Sequence, residues 1–158
     1  MNLKVRLMNQ KDILPVARIH SESFVRQSSS KKWISCNLAA YPRVMMFVVE
    51  EGEGDVIGYI QWLQKSGFRK EAVIELEQIA VLSAYRGNGV GVRLITDSLN
   101  ELTQYLAENN SKLKAILVTT RSDNNAQKLY KKVLGADIAG LIKNLYSHDE
   151  VIMLARFD

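Results

Sequence analysis

Residues 86 to 91 read Arg86-Gly87-Asn88-Gly89-Val90-Gly91, with glycine at every second position from Gly87. Leu94, Ile95, Leu99, Leu102 and Leu106 follow at helical spacing. Glycines between a strand and a helix let backbone N–H groups converge on an anion at the helix's positive end, so the turn has the makings of a phosphate cradle. Two common phosphate motifs do not fit it. A Walker loop needs lysine and a hydroxyl residue where Val92 and Arg93 stand. A dinucleotide fingerprint counted from Gly89 needs a small residue at Leu94 and the first strand of a βαβ unit before the turn. The strand that precedes it, Ala72 to Val81, carries Glu75, Glu77, Ile79 and Val81 on one face by the two-residue period. Two carboxylates therefore share a face with the residues that lead into the turn.

The elements that must position these groups follow from periodicity. Lys4 to Met8 alternates as a short strand, and Asn9 to Asp12 supplies polar capping for a helix through Ile13, Val16, Ala17, Ile19 and His20, ending near Phe24. Ser28 to Ser30 breaks it, and Trp33, Ile34 and Leu38 suggest a second helical piece before Pro42. Val44 to Glu50 and Val56 to Gln64 are β-branched, apolar runs joined by a glycine-bearing connection of hairpin type. After the turn and its helix, Leu113 to Thr119 reads as a buried strand. Asp123 or Asn124 can cap a helix carrying Ala126, Leu129, Tyr130 and Val133, which Gly135 ends. Ala136 to Leu145 and Val151 to Phe157 close the chain as strands. The order βααβββαβαββ is a mixed α/β (α+β) arrangement without repeats or linkers, and one domain over residues 1–158 is expected.

Composition narrows the function classes. The 158 residues are 47% hydrophobic and 24% charged, enough for a core and against long disorder. The net charge of +4 is dispersed, with no basic arm and no interleaved aromatics, so a polyanionic small molecule suits it better than nucleic acid. Cys36 is the sole cysteine, which excludes an internal disulfide and a multi-cysteine metal site and is compatible with a reducing, cytoplasmic setting. No run approaches membrane-spanning length and residues 1–7 lack an apolar signal core, so neither membrane insertion nor export is expected. His20 in an apolar helical pattern, His148 in a polar loop and Cys36 without a nearby His or Asp read as packing or surface residues. Trp33, Trp62 and Phe68 read as core or as the wall of a cleft.

Arg86, Gly89 and Gly91 satisfy the Gln/Arg-x-x-Gly-x-Gly/Ala motif, after a strand reading Leu76-Glu77-Gln78-Ile79-Ala80-Val81. Downstream, Asp123-Asn124-Asn125-Ala126-Gln127-Lys128-Leu129-Tyr130 and then Leu134-Gly135-Ala136 resemble an Asn-x-x-Ala-x-x-Leu-Tyr segment followed by Gly-Phe. On these motifs, their order and the element order over essentially the whole chain, the sequence resembles the GNAT superfamily of N-acetyltransferases. It also departs from that pattern. Asp123 stands where asparagine is usual, and Tyr130 to Gly135 is one residue longer than is common.

The resemblance implies a central, mixed, mostly antiparallel sheet of about seven strands flanked by about four helices. It also implies direct acetyl transfer from acetyl-CoA to a primary amine without a metal. Ile79, Ala80 and Val81 would carry the pantetheine arm like an added strand, and a backbone N–H near Val81 would polarise the thioester carbonyl. Arg86, Gly87, Asn88, Gly89, Val90 and Gly91 would take the pyrophosphate, and Asp123, Asn124 and Tyr130 would complete the cofactor contacts. Tyr130 matches the family tyrosine near the cofactor sulfur, where a phenol of reference pKa about 10 can donate to the departing thiolate. Glu75 or Glu77 would act as base or hold the amine; a carboxylate of reference pKa about 4.3 needs burial or a water relay for the first role.

By the same resemblance, acceptor choice falls to residues 24–42 and 145–150. Paired Glu75 and Glu77 would suit a small cationic amine. Tyr146 with Asp149-Glu150-Val151-Ile152-Met153 looks like the tail of members that acetylate protein N-termini. A non-catalytic acyl-CoA sensor and a basic nucleic-acid binder are the rivals; Tyr130 weighs against the first and the dispersed charge against the second. A homodimer is left open.

Overall fold

The computed structural model describes residues 1–158. Its strands are β1 (Leu3–Leu7), β2 (Val44–Glu51), β3 (Asp55–Gln64), β4 (Glu71–Val81), β5 (Lys112–Arg121), β6 (Asp137–Ile142) and β7 (Glu150–Arg156). Its helices are α1 (Ile13–Ser23), α2 (Ser30–Ala39), α3 (Val90–Glu108) and α4 (Ala126–Leu134), with single 3-10 turns at Gln10–Asp12 and Ser83–Tyr85. The strands form one mixed sheet in the order β1-β2-β3-β4-β5-β7-β6. β4 and β5 are parallel, while β1–β2, β5–β7 and β6–β7 are antiparallel.

The residues group into two compact units, the first being Met1–Trp62 with Gln78–Leu102. Here β2 is apolar on both faces, and Phe47, Val48 and Val49 are fully buried with Val16, Ile34, Tyr59, Ile60, Leu94 and Ile95. α1 has only 11 residues, too short to stand alone, and burying Val16, Ala17, Ile19 and His20 keeps it folded. Its entry is held by charge. The Arg6 guanidinium lies 2.8 Å from Asp12 and 2.6 Å from Glu50, and the Asn9 N–H donates to Asp12 at 2.8 Å. Burial alone would raise the Asp12 carboxyl; the hydrogen bonds from Arg6 and Asn9 outweigh it and hold the group below the usual carboxylate range. Gly58 permits a close passage within this unit, because a Cβ there would meet the Ala80 carbonyl oxygen at 2.9 Å.

The second unit is Leu63–Glu77 with Thr103–Asp158. Ile74, Leu76, Ile116, Val118, Met153 and Ala155 are buried in it. β6 is the sheet's edge and is shorter than the run from Ala136 to Leu145 suggests. Asn144 takes a left-handed φ of 49° and donates its N–H to the Asp149 carboxylate at 2.9 Å, which turns the chain out of the strand early.

Candidate active site

The glycine turn stands where the spacing places it, and its backbone explains the glycines. Gly87 and Gly89 have φ of 75° and 78°, and a Cβ added at either would meet nothing within 4 Å. Left-handed backbone, rather than crowding by the protein, therefore requires glycine at both. Gly91 lies inside α3 without a positive φ. The first helical bond is Arg93 N–H to the Gly89 carbonyl at 3.1 Å, and no N–H from Gly87 to Val92 donates to another backbone group. These orphan donors sit at the positive end of a 19-residue helix, the arrangement that binds phosphate oxygens.

Arg86 differs from the expectation. Its N–H donates to the Ser83 carbonyl at 3.3 Å and its Nε to the Val81 carbonyl at 2.8 Å. Arg86 thus fastens the turn to the end of β4, and the amides open to an anion begin at Gly87. The Asn88 side chain likewise donates to the Arg86 carbonyl at 3.1 Å, bracing the loop from within.

Burial alternates strictly along β4: Val73, Glu75, Glu77, Ile79 and Val81 are half-buried, and the residues between them are buried. The ladder to β5 ends at Glu75↔Leu117, whereas β4 continues to Val81. Burial pushes the Glu75 carboxyl up; Lys65, whose Nζ is 3.9 Å away, pulls it down, and the like charge of Glu77 adds to the rise.

Tyr130 lies in the second unit, buried on α4, and burial pushes its phenol up to about 12. The extra residue between Tyr130 and Gly135 is absorbed by a widened last turn. The Gly135 N–H is shared between the Lys131 and Tyr130 carbonyls, and the Ala136 N–H reaches back to Tyr130 at 3.3 Å. Asp123 does not cap this helix. It pairs with Arg121 at 2.9 Å, which holds its carboxyl below the usual range. Asn124 takes the capping role from two residues ahead, accepting from Ala126 N–H at 2.9 Å and donating to Thr120 Oγ1 at 3.0 Å.

Two buried polar residues of the first unit make hydrogen bonds to partners that local periodicity does not mark. Gln78, 7% exposed, accepts from Trp33 Nε1 at 3.0 Å and from the Tyr59 hydroxyl at 2.8 Å. His20 is fully buried, with Nδ1 2.7 Å from Ser30 Oγ and Nε2 2.7 Å from Gln27 Oε1. Its reading as a packing residue captures the burial and misses both hydrogen bonds. His148 is exposed beside Ser147, and Cys36 is exposed on α2. Glu150, opposite Arg121 in the β5–β7 register, is another buried carboxyl raised by its burial. No group of three or more His, Cys, Asp or Glu is placed to hold a metal ion. No helix is long and apolar enough to cross a membrane.

The family model described as the acetyltransferase (GNAT) family matches residues 13–136. The L-2,4-diaminobutyric acid acetyltransferase of Vibrio parahaemolyticus is 31% identical over 87 residues, 54% of this chain; the chain spans 44% of that protein's length. Among solved structures, Arabidopsis thaliana NAA60 in complex with acetyl-CoA superposes with a TM-score of 0.78 at 16% identity, over 99% of each chain. The ribosomal-protein-S18-alanine N-acetyltransferase of Escherichia coli gives 0.73 at 20% identity, over 98% of this chain and 94% of that one. Both share the fold.

Proposed function

The chain belongs to the acetyltransferase (GNAT) family, and from that premise we propose that it is an acetyl-CoA-dependent N-acetyltransferase, acting as one domain over residues 1–158 in the cytoplasm, whose acceptor is a small cationic primary amine. The observation that carries this reading is the row of backbone N–H groups from Gly87 to Val92 without backbone acceptors, at the start of α3. Acetyl-CoA fits it, because a diphosphate needs several converging donors and no side chain fills the space beside Gly87 or Gly89. Bound there, the cofactor supplies an activated acyl thioester. The edge of β4 beyond Glu75 offers main-chain groups to an extended arm.

The remaining chemistry falls to side chains. The amine nitrogen bonds the acetyl carbon as the carbon–sulfur bond breaks; the amine gives up a proton and the sulfur takes one. Tyr130, whose phenol stays protonated far above neutral pH, is the donor to the sulfur. Glu75 and Glu77 hold the acceptor ammonium, and the raised carboxyl of Glu75 also suits it to receive a proton. The relative named for L-2,4-diaminobutyric acid supports a small amine. The second reading, a peptide N-terminus, is favoured by Tyr146, 76% exposed in the β6–β7 loop, which with Asp149 to Met153 resembles the tail of family members that acetylate protein N-termini.

The test is a panel of diamines, diamino acids and short peptides with free N-termini, incubated with acetyl-CoA and followed by CoA release and product mass. Higher kcat/KM for the diamines supports the proposal, and higher values for peptides replace the acceptor with the second reading. Binding of acetyl-CoA without transfer to any amine would leave a sensor, and absence of binding would remove the cofactor assignment as well.

A further inference from the structure

We propose that Gln78 is a positioning residue of the acceptor site: a chain of hydrogen bonds running from the buried Gln78 through the exposed Gln27 to the buried His20 fixes where residues 24–42 stand on β4, and so which amines are admitted. The proposal rests on the N-acetyltransferase reading above.

The polarity of every link follows from one end. Trp33 Nε1 has a proton and no lone pair to offer, so the Gln78 atom 3.0 Å away is an acceptor, Oε1, which also takes the Tyr59 hydroxyl proton. The other end of the amide, Nε2, is then a donor, and it faces Gln27 Oε1 at 3.3 Å. Because Gln27 presents an oxygen, His20 Nε2, 2.7 Å from it, must carry a proton. His20 Nδ1 is left to meet Ser30 Oγ. One glutamine thereby orients groups on α1, on the link after it, on α2 and on β3.

α2 has little apolar burial of its own to hold it. Ile34 is its single buried residue, its N-cap Ser29 is left-handed with φ of 54°, and no side chain caps it. Phe24 lies against His20 with ring centroids 5.2 Å apart, and Trp33 stacks on it at 6.5 Å, so two aromatic residues of the 24–42 segment take their places from the same imidazole. Gln78 itself adjoins Ile79 in the strand assigned to the cofactor arm. It never touches the reacting atoms; it sets the distance between that strand and the acceptor wall.

Selective 15N labelling of histidine, with His148→Gln to assign the signals, reads the relay without any substrate: wild-type His20 should be the Nε2–H tautomer. Gln78→Glu removes the donor facing Gln27. The Gln27 amide should then turn over and donate to both neighbours, and the His20 proton should move to Nδ1 and donate to Ser30. In kinetics, Gln78→Leu should raise the acceptor KM about tenfold and shift the kcat/KM ratio of a bulky to a compact amine about threefold or more, with acetyl-CoA affinity kept within about twofold. Adding Trp33→Phe, which removes the stranded donor, should recover part of the loss. A wild-type Nδ1–H tautomer, or an unchanged amine ratio and KM in folded Gln78→Leu, overturns the proposal even where acetyl transfer is found. Absence of transfer to every amine overturns the activity reading even where His20 carries its proton on Nε2, and the proposal falls with it.

Discussion

Ahead of α3 the chain makes its candidate binding groups from backbone: Gly87 and Gly89 contribute no side chain, only left-handed φ values that leave successive N–H groups without partners. On α4 the opposite material is used. Tyr130 contributes a side chain, and its burial, with the phenol pushed up to about 12, suits it to hold a proton. A backbone cradle is specified by what is missing and tolerates most neighbours, whereas a buried phenol depends on the packing around it. Substitutions in the first region should therefore be read in cofactor affinity and those in the second in turnover.

Tyr130→Phe carries the largest expected effect. Phenylalanine keeps the buried ring and removes only the hydroxyl, so the fold and acetyl-CoA affinity should persist while kcat falls about 10²-fold or more. Because the phenol holds its proton to about 12, it should not produce an alkaline limb in kcat between pH 8 and pH 10, ranges set by reference amine values of about 8 and 10. A limb there that vanishes in Tyr130→Phe would show the phenol ionising in that range and break the contrast with the glycine turn.

At the glycine turn the expected loss is smaller and falls on a different constant. A non-glycine residue in the left-handed region costs roughly 1–2 kcal/mol, so Gly89→Val should weaken acetyl-CoA binding by about fivefold to thirtyfold through displacement of the N–H row. Calorimetry measures it, and circular dichroism should show a fold unchanged, since a Cβ there meets no atom. Gly91→Ala sharpens the comparison. Within α3 alanine is the better helix former by roughly 1 kcal/mol, so this variant should melt higher while binding the cofactor less well. Equal affinity in both variants would remove the diphosphate from this turn.

The contrast also explains what is legible from sequence. Alternate glycines are a local pattern, and the strand ahead of them and the apolar stripe after them survive into β4 and α3 with their expected neighbours. The capping of α4 is less so, because Asp123 and Asn124 are chemically interchangeable candidates and the nearby Arg121 decides which of them is drawn away. The Gln78 network is illegible for a physical reason: its partners are 45, 19 and 51 residues apart in the chain, and nothing in the local periodicity marks Trp33, Tyr59 or Gln27 as its neighbours. Gln78 occupies a buried alternate position where an apolar residue is the default, and that one polar break in the series Ala72, Ile74, Leu76, Gln78, Ala80 is the signal that could have found it.

The smallest effects belong to Glu75 and Glu77, where function and stability should move in opposite directions. Replacing one carboxylate by its amide keeps hydrogen bonding and removes charge, so each single variant, Glu75→Gln or Glu77→Gln, should raise the acceptor KM by roughly threefold to tenfold with acetyl-CoA affinity intact. The folded-state carboxyl of Glu75 is raised, chiefly by burial, so the folded protein binds that proton more tightly than the unfolded chain does. Stability is then lost as pH rises from the ordinary carboxylate range through the raised value, and above it the charged Glu75 is a standing cost. Glu75→Gln should remove that cost and leave the melting midpoint at neutral pH unchanged or higher, an advantage that disappears below the ordinary carboxylate range. In the wild type, acceptor KM should improve as pH rises through the raised value while the amine is still an ammonium. Glu77→Gln removes a like charge that helps raise Glu75, so it should move that improvement to lower pH. Melting curves and acceptor kinetics on the same three proteins check every sign. If Glu75→Gln melts lower at neutral pH and KM is flat across the acid range, Glu75 is a structural carboxylate paired with Lys65, and the amine is held elsewhere.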